Sequence, residues 1–416
     1  MPDETLNTVA APESVQEETP AVEAVQEAAP QEVKVKPVYT ADSDTLRRIF
    51  AGAAAVFGLI LTAALMINVA LSGGSGGQSA QANAPNVAIM DKYDMYITNE
   101  VSNALEGVLD IEKVYFLSDD DLVAPKPNAA CYGEAASPAE LQWLLDDAAE
   151  LLAGQETLFS TETPAWEGMP VKYYLDDTIL VITWKQIIDR SLFTISEVKI
   201  SHASQFRRFL AGGEYGSDKQ YVTTEMAQSV NSVVACSGDF YKFRRYGVIV
   251  YDGKVERYEN THVDTCFIDK NGDLLFAYRG DFADEAEAQK FVDDNDVRFS
   301  LAFGPVLVDN GEACAPASYG LGEINDEYTR AAICQMDSLH YLMVNISQEG
   351  GYGRRQTIAN FAKQVESFGC EKAYALDGGQ TSVIAMDGQL VSRPDFGTQR
   401  QISDIIYFAT ALPDGE

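Results

Sequence analysis

Apolar positions are spread unevenly along the chain, and their spacing divides it. Residues 1–45 hold mainly Glu, Ala, Pro, Val and Gln, with one aromatic, Tyr39, and no usable apolar period. Such a segment buries too little surface to offset its ordering entropy, so residues 1–48 are expected to be a disordered acidic tail. Residues 49–71 then run for 23 positions without a charge. About 20 apolar residues span a bilayer, so a single transmembrane helix is expected there. Lys34, Lys36, Arg47 and Arg48 precede the run, and the next basic residue after it is Lys92. That asymmetry places the N-terminus in the cytoplasm and everything after Leu71 outside the cell membrane. A cleaved signal peptide is the competing reading, with Ala80-Gln81-Ala82 and Ala82-Asn83-Ala84 as cleavage-like sites. Both readings export the remainder.

Residues 72–85 are rich in Gly, Ser, Ala and Asn and read as a flexible tether. Residues 86–169 read as a helical juxtamembrane stalk or accessory region. Ser137 is its clearest N-cap, with Pro138 in the first turn, Glu140 three residues on, and an apolar stripe through Leu141, Leu144, Leu145, Ala148, Leu151 and Leu152. After Pro170 the pattern turns to strands at 171–175, 178–184 and 193–200. Asp252-Gly253, Asn271-Gly272 and Asp387-Gly388 each sit between apolar runs and predict hairpins. A strand at 339–346, a helix at 357–368 stopped by Gly369, and a strand at 372–376 predict a parallel βαβ unit with a right-handed crossover. The fold class expected for residues 170–416 is therefore mixed α/β (α+β, β-rich), with a mixed sheet and flanking helices.

Charge narrows the functions open to such a domain. The formal net charge of −33 disfavours nucleic acid as a partner, and an anionic substrate would need a local basic pocket. Six cysteines, Cys131, Cys236, Cys266, Cys314, Cys334 and Cys370, follow the apolar run without any C-x-x-C pair. They read as buried free thiols, with disulfides the alternative in an exported domain. The stretch from Asp269 to Asp273 resembles a calcium loop but lacks the closing Glu and reads as a turn.

Two strand ends stand out for chemistry. The run from Ser232 to Tyr241 ends an apolar strand in Ser237-Gly238-Asp239, and the run from Lys372 ends in Asp377-Gly378-Gly379, followed by Thr381 and Ser382. Paired glycines permit close backbone approach and can present N–H groups to an anion. Arg330, Arg354, Arg355, Arg393 and Arg400 are spaced through the same half of the chain, and guanidinium forks match phosphate oxygens.

The order of these motifs resembles the phosphodiester glycosidase family, which includes the lysosomal uncovering enzyme and bacterial proteins labelled as exopolysaccharide-biosynthesis proteins. The likeness runs from about Ser191 to Ala411. It rests on Glu197-Val198-Lys199-Ile200, Ser237-Gly238-Asp239-Phe240-Tyr241, Gly304-Pro305-Val306-Leu307-Val308, Thr329-Arg330-Ala331-Ala332, Leu376-Asp377-Gly378-Gly379 and the closing Arg400-Gln401-Ile402-Ser403-Asp404-Ile405-Ile406. Ser237 stands where the family usually has Asn, and Gln380 and Thr381 stand where it has Gly and Ser. The resemblance implies hydrolysis of a sugar-1-phosphodiester, an anionic carbohydrate, with Asp377 as first choice of catalytic carboxylate and Asp239 as second. Arg330 and Arg400 would hold the phosphate, with Gly378, Gly379, Ser237, Thr381 and Ser382 around the substrate. No cofactor is certain, and a magnesium or calcium ion on Asp239 or Asp377 is compatible with these residue types. Two further readings stay open: a non-catalytic module that binds an envelope glycopolymer, and a scaffold.

Overall fold

The computed structural model describes residues 117, 123–163, 170–319, 325–349 and 351–412. The expected tail, membrane run and tether lie outside the described residues, as does most of 86–122. Among the described residues no helix is long and apolar enough to cross a membrane.

The strands form three sheets. In the largest, nine strands run in the spatial order Tyr132–Ala135, Val171–Leu175, Ile179–Ile188, Ser191–Ile200, His340–Ser347, Ala331–Asp337, Lys372–Leu376, Val306–Asp309, Glu312–Ala313. Every residue of Ser191–Ile200 and of His340–Ser347 is buried. Their near-continuous apolar runs reflect cover on both faces. A second sheet runs Leu274–Ala277, Thr265–Asp269, Val297–Leu301, Ile249–Tyr251, Lys254–Arg257, and a third runs Gln389–Leu390, Ile384–Met386, Val234–Ser237, Asp404–Phe408, Phe206–Leu210. The three meet in an aromatic cluster. Phe206 stacks on Phe408 at 4.6 Å and meets Phe299 of the second sheet at 5.6 Å and Tyr341 of the large sheet at 5.1 Å. These rings are buried, so each sheet closes the core of the others.

The domain is mixed in content, sheet-rich with few helices, but the pairings between its strands are all antiparallel. This corrects the expected mixed sheet with a simple parallel βαβ unit. His340–Ser347 and Lys372–Leu376 do run parallel and are joined through the helix Ile358–Glu366, yet Ala331–Asp337 inserts between them and pairs antiparallel with both. The helix matches its sequence signals: Thr357 caps it by accepting the Asn360 N–H, and Gly369 follows at φ +79°. Phe361 and Phe368 press on Phe193 of the sheet. The Asp-Gly hairpins form as expected, with Asp252 and Asp387 both at positive φ. Asp269 accepts the N–H groups of Asn271 and Asp273, so the calcium-like stretch is a side-chain-capped turn. None of the six cysteines is in a disulfide, and four of them are buried.

The segment before Pro170 joins the same core. Tyr132–Ala135 pairs with Val171–Leu175 at the sheet edge. The expected long helix is a 3-10 turn, Pro138–Leu141, followed by the short helix Gln142–Asp147 and then turns. Ser137 occupies the cap position without a side-chain cap, and Glu140 instead accepts the Ala136 N–H at 3.2 Å. Leu141, Leu144, Ala148 and Phe159 are buried with the sheet residues, and the Leu158 and Phe159 N–H groups donate to the Glu197 carboxylate at 2.8 Å. Packing on the sheet, rather than helix length, fixes this segment.

Leu144→Ala should therefore lower the stability of the whole domain by about 2–5 kcal/mol, read by denaturant unfolding. Fluorescence and circular dichroism should report one coincident transition. A separate stalk would lose its own signal and leave the main transition unmoved.

Candidate functional site

Two strand ends from different sheets are stitched together by main-chain contacts. Val234–Ser237 and Lys372–Leu376 finish side by side: the Asp377 N–H donates to Gly238 O at 3.4 Å, and Ser237 Oγ donates to Asp377 O at 3.3 Å. The glycines here serve close approach. A Cβ on Gly238 would lie 2.0 Å from Asp404 Oδ2, and one on Gly378 would lie 2.5 Å from Thr329 O. The Gly379 N–H donates to Thr329 O at 3.1 Å, so it faces the protein rather than an anion.

Asp239 and Asp377 have contrasting surroundings. Asp239 Oδ2 accepts the Ala302 N–H at 2.7 Å, while Oδ1 accepts the Tyr241 N–H at 2.8 Å and lies 3.0 Å from Arg208 Nη2. Arg208 also holds Asp404: its Nε donates to Oδ2 at 2.9 Å, and its Nη2 lies 2.8 Å from the same atom. The Asp239 N–H donates to Asp404 Oδ2 at 3.2 Å as well. All three side chains are essentially sealed from solvent. Two carboxylates thus share one guanidinium, and Asp404 Oδ1 has no hydrogen-bond partner among the described residues. Burial pushes the Asp404 carboxyl up to about 7; Arg208 opposes the rise and the Asp239 charge adds to it. Both Asp239 oxygens are occupied by N–H donors, so this residue braces the fold and its donor set does not suit a divalent cation.

Asp377 is buried among cations and aromatic rings. Its Oδ2 accepts from Arg400 Nη2. Burial raises its pKa, while Arg400, the Thr381 hydroxyl and Arg244 pull it back. The Arg400 guanidinium lies over Phe240 at 4.9 Å and Phe243 at 5.8 Å. Arg244 lies over Phe240 at 5.2 Å and Phe303 at 4.4 Å. Phe240 and Phe243 stack at 4.6 Å. The Arg400 side chain is 38% exposed, and its Nε has no partner among the described residues. Two guanidiniums thus lie near the Asp377 carboxylate in a chain of net charge −33.

The other expected residues have different neighbours. Arg330 donates from Nε to Gln356 O at 3.0 Å and from Nη2 to Asp326 O, and burial pushes its pKa down to about 10. It ties the 326–330 and 356–357 segments together. Ser382 Oγ donates to Arg330 O at 2.8 Å and accepts from Asn345 Nδ2 at 3.0 Å, both buried. Thr381 Oγ1 donates to Gly378 O at 2.8 Å. Sequence reasoning assigned no role to Arg208, Arg244, Phe240, Phe243 or Asp404. The run Phe240-Tyr241-Lys242-Phe243-Arg244-Arg245, aromatics interleaved with cations just after Asp239, carried a usable signal for Arg244. Arg208 had none, because its partners arrive from other strands.

Residues 230–409 match the family model described as phosphodiester glycosidase. The chain carries a phosphodiester glycosidase domain. That family is one of hydrolases, and the matched stretch holds Ser237, Asp239, Arg244, Asp377, Arg400 and Asp404. Arg208, which pairs with both buried carboxylates, lies before it. Among solved structures, the zebrafish N-acetylglucosamine-1-phosphodiester alpha-N-acetylglucosaminidase catalytic domain, auto-inhibited by its pro-peptide, is similar at 17% identity and TM-score 0.44, covering 56% of this chain and 82% of that one. A hypothetical protein from Synechocystis is similar at 14% identity and TM-score 0.41, covering 60% of this chain and 64% of that one. No curated protein matches the chain. Among the described residues of this glycosidase domain, no group of three or more His, Cys, Asp or Glu is placed to hold a metal ion.

Removing Arg208 strands two buried carboxylates. Arg208→Met should cost about 3–5 kcal/mol of unfolding free energy by denaturant titration. A separate expectation concerns pH. A carboxyl raised above its unfolded value of about 3.9 contributes stability that is fully present below that pH. For Asp404 the contribution fades as pH rises to about 7. Between these limits the wild type should lose stability relative to Asp404→Asn, and parallel pH–stability curves would contradict the shift.

Proposed function

We propose that the domain hydrolyses a sugar-1-phosphodiester at the recess around Asp377, with Arg400 and Arg244 gripping the phosphate. The observation that carries this reading is the pairing of a buried carboxylate with two guanidiniums on one aromatic floor. Cleavage at an anomeric carbon passes through an oxocarbenium-like state and ordinarily employs two carboxylates. Here the leaving group is a phosphate monoester, whose departure needs little protonation, so one carboxylate suffices. Asp377 takes a proton from the water that attacks the anomeric carbon, or attacks that carbon itself to form a glycosyl ester that water then cleaves; in either case the anomeric C–O bond breaks, and its electron pair leaves with the phosphate. Arg400 and Arg244 stabilise that developing charge. Asp239 supports the site from within, through its contact with Arg208, and Arg330 supports it through the loop at Gln356.

A second reading keeps one observation in its favour. Asp239 is sealed in its ion pair, which leaves Asp377, itself only slightly exposed, as the one carboxylate of the two not fully enclosed, an arrangement that would also suit a module binding an envelope glycopolymer without cleaving it. In either case we read residues 49–71 as a membrane anchor, with the N-terminus cytoplasmic and the domain outside. The support is the uncharged run and the Lys/Arg asymmetry around it.

Asp377→Asn should abolish release of reducing sugar from N-acetylglucosamine-1-phosphodiesters or related sugar diesters at unchanged melting temperature. Arg400→Ala should remove about 2–4 kcal/mol of transition-state stabilisation on phosphodiesters, read as kcat/KM, and far less on neutral glycosides. Unchanged turnover in Asp377→Asn would sink the assignment. Binding of the diesters without turnover by the wild type would favour the second reading.

For topology, protease added to intact cells should remove the domain. A C-terminal tag protected until the cells are permeabilised would overturn the orientation.

A further inference from the structure

The loop that delivers Arg400 to Asp377 carries a feature that the cleavage step does not use. At its tip, Asp395–Gly397, Phe396 is 81% exposed and sits in the left-handed region at φ +59°. That conformation is unfavourable for a bulky residue, and exposed Phe gains nothing from burial in return. The tip is nevertheless held firmly. Asp395 is buried and takes Arg355 Nη2 at 3.2 Å, the Gly397 N–H donates to Pro394 O at 3.0 Å, and Thr398 accepts from Gln380 at 3.3 Å. The surroundings therefore impose the outward ring, a pattern associated with functional sites.

Arg393 lies at the same tip. It is exposed, and its guanidinium has no ion pair among the described residues of a chain with net charge −33. Its Nη2 lies 3.7 Å from where a Cβ on Gly397 would stand, so the cation folds over the turn beside Phe396. Phe396 and Arg400 are four positions apart, at most about 14 Å of chain. An exposed aromatic face suits the apolar C–H face of a sugar ring, and a free guanidinium suits a phosphate.

We propose that Arg393 and Phe396 form a second subsite, which grips the next repeat of a substrate made of sugars joined by phosphodiester links. Phe396 stacks on the neighbouring sugar, and Arg393 holds the following phosphate. The substrate class is then a poly(glycosyl phosphate) rather than an isolated sugar phosphodiester. This inference rests on the sugar-phosphodiester reading of the Asp377 recess.

The test compares two probes by calorimetry on the purified ectodomain: the methyl diester of N-acetylglucosamine-1-phosphate, and an oligomer with two phosphodiester-linked N-acetylglucosamine repeats. The wild type should bind the oligomer about tenfold more tightly. Phe396→Gly and Arg393→Ala should each weaken the oligomer about fivefold to tenfold, and the methyl diester much less. Phe396→Gly should also raise the melting temperature by about 2–4 °C, because glycine accepts the left-handed conformation; lower affinity in a more stable protein separates gripping from a structural role. Phe396→Trp should retain oligomer affinity. Equal binding of the two probes, or variants with wild-type preference for the oligomer, overturns the subsite. Oligomer binding with no cleavage of either probe leaves the subsite standing and removes the glycosidase reading, and binding of neither probe counts against both.

Discussion

The charge on Arg208 constrains everything around the recess. A guanidinium keeps its proton, so burying one demands counter-charge and hydrogen-bond acceptors. Asp239 and Asp404 supply them, and in doing so they lock the end of Val234–Ser237 to the start of Asp404–Phe408 and to Phe206–Leu210. The fit is tight enough that Gly238 has no room for a Cβ beside the Asp404 carboxylate. Gly238 O in turn accepts the Asp377 N–H, so a buried ion cluster helps to set the position of Asp377. Nearby, the Phe206, Phe299, Tyr341 and Phe408 rings bind the three sheets into one body.

The arginines divide into distinct duties according to what surrounds them. Arg208 meets carboxylates in the interior and acts as a brace. Arg330 meets main-chain carbonyls and closes a loop. Arg244 and Arg400 lie over Phe240 and face Asp377, where their charges oppose the rise that burial imposes on its carboxyl. Arg400 is also ion-paired with Asp377, so the aromatic faces add cation–π contact to a guanidinium that already has a counter-charge.

Much of the domain was legible in the sequence wherever local chemistry decides structure. Asp-Gly pairs announced hairpins because their backbones take positive φ at little cost, and the helix after Thr357 followed its cap and its stop. The turn joining Ile179–Ile188 to Ser191–Ile200 escaped notice because Asp189 and Arg190, not glycines, take the positive φ values there. The insertion of Ala331–Asp337 between two parallel strands was equally hidden, since order across a sheet is set by long-range packing. Asp377 and Arg400, which the fold brings into contact, could be named from a strand end and a closing motif. The burial of Asp239 could not, because Arg208 reaches it from a strand that lies 31 residues earlier in the chain. Nor does anything in the segment around Arg330 reveal the Gln356 carbonyl to which it donates.

The central claim is that the recess breaks the bond between the anomeric carbon and oxygen, with Arg244 and Arg400 receiving the phosphate as leaving group. Hydrolysis of a sugar-1-phosphodiester in water enriched in oxygen-18, followed by mass analysis of both products, tests it directly. Label in the anomeric hydroxyl of the released sugar is the predicted result. Label in the phosphate, which means attack at phosphorus, would contradict it.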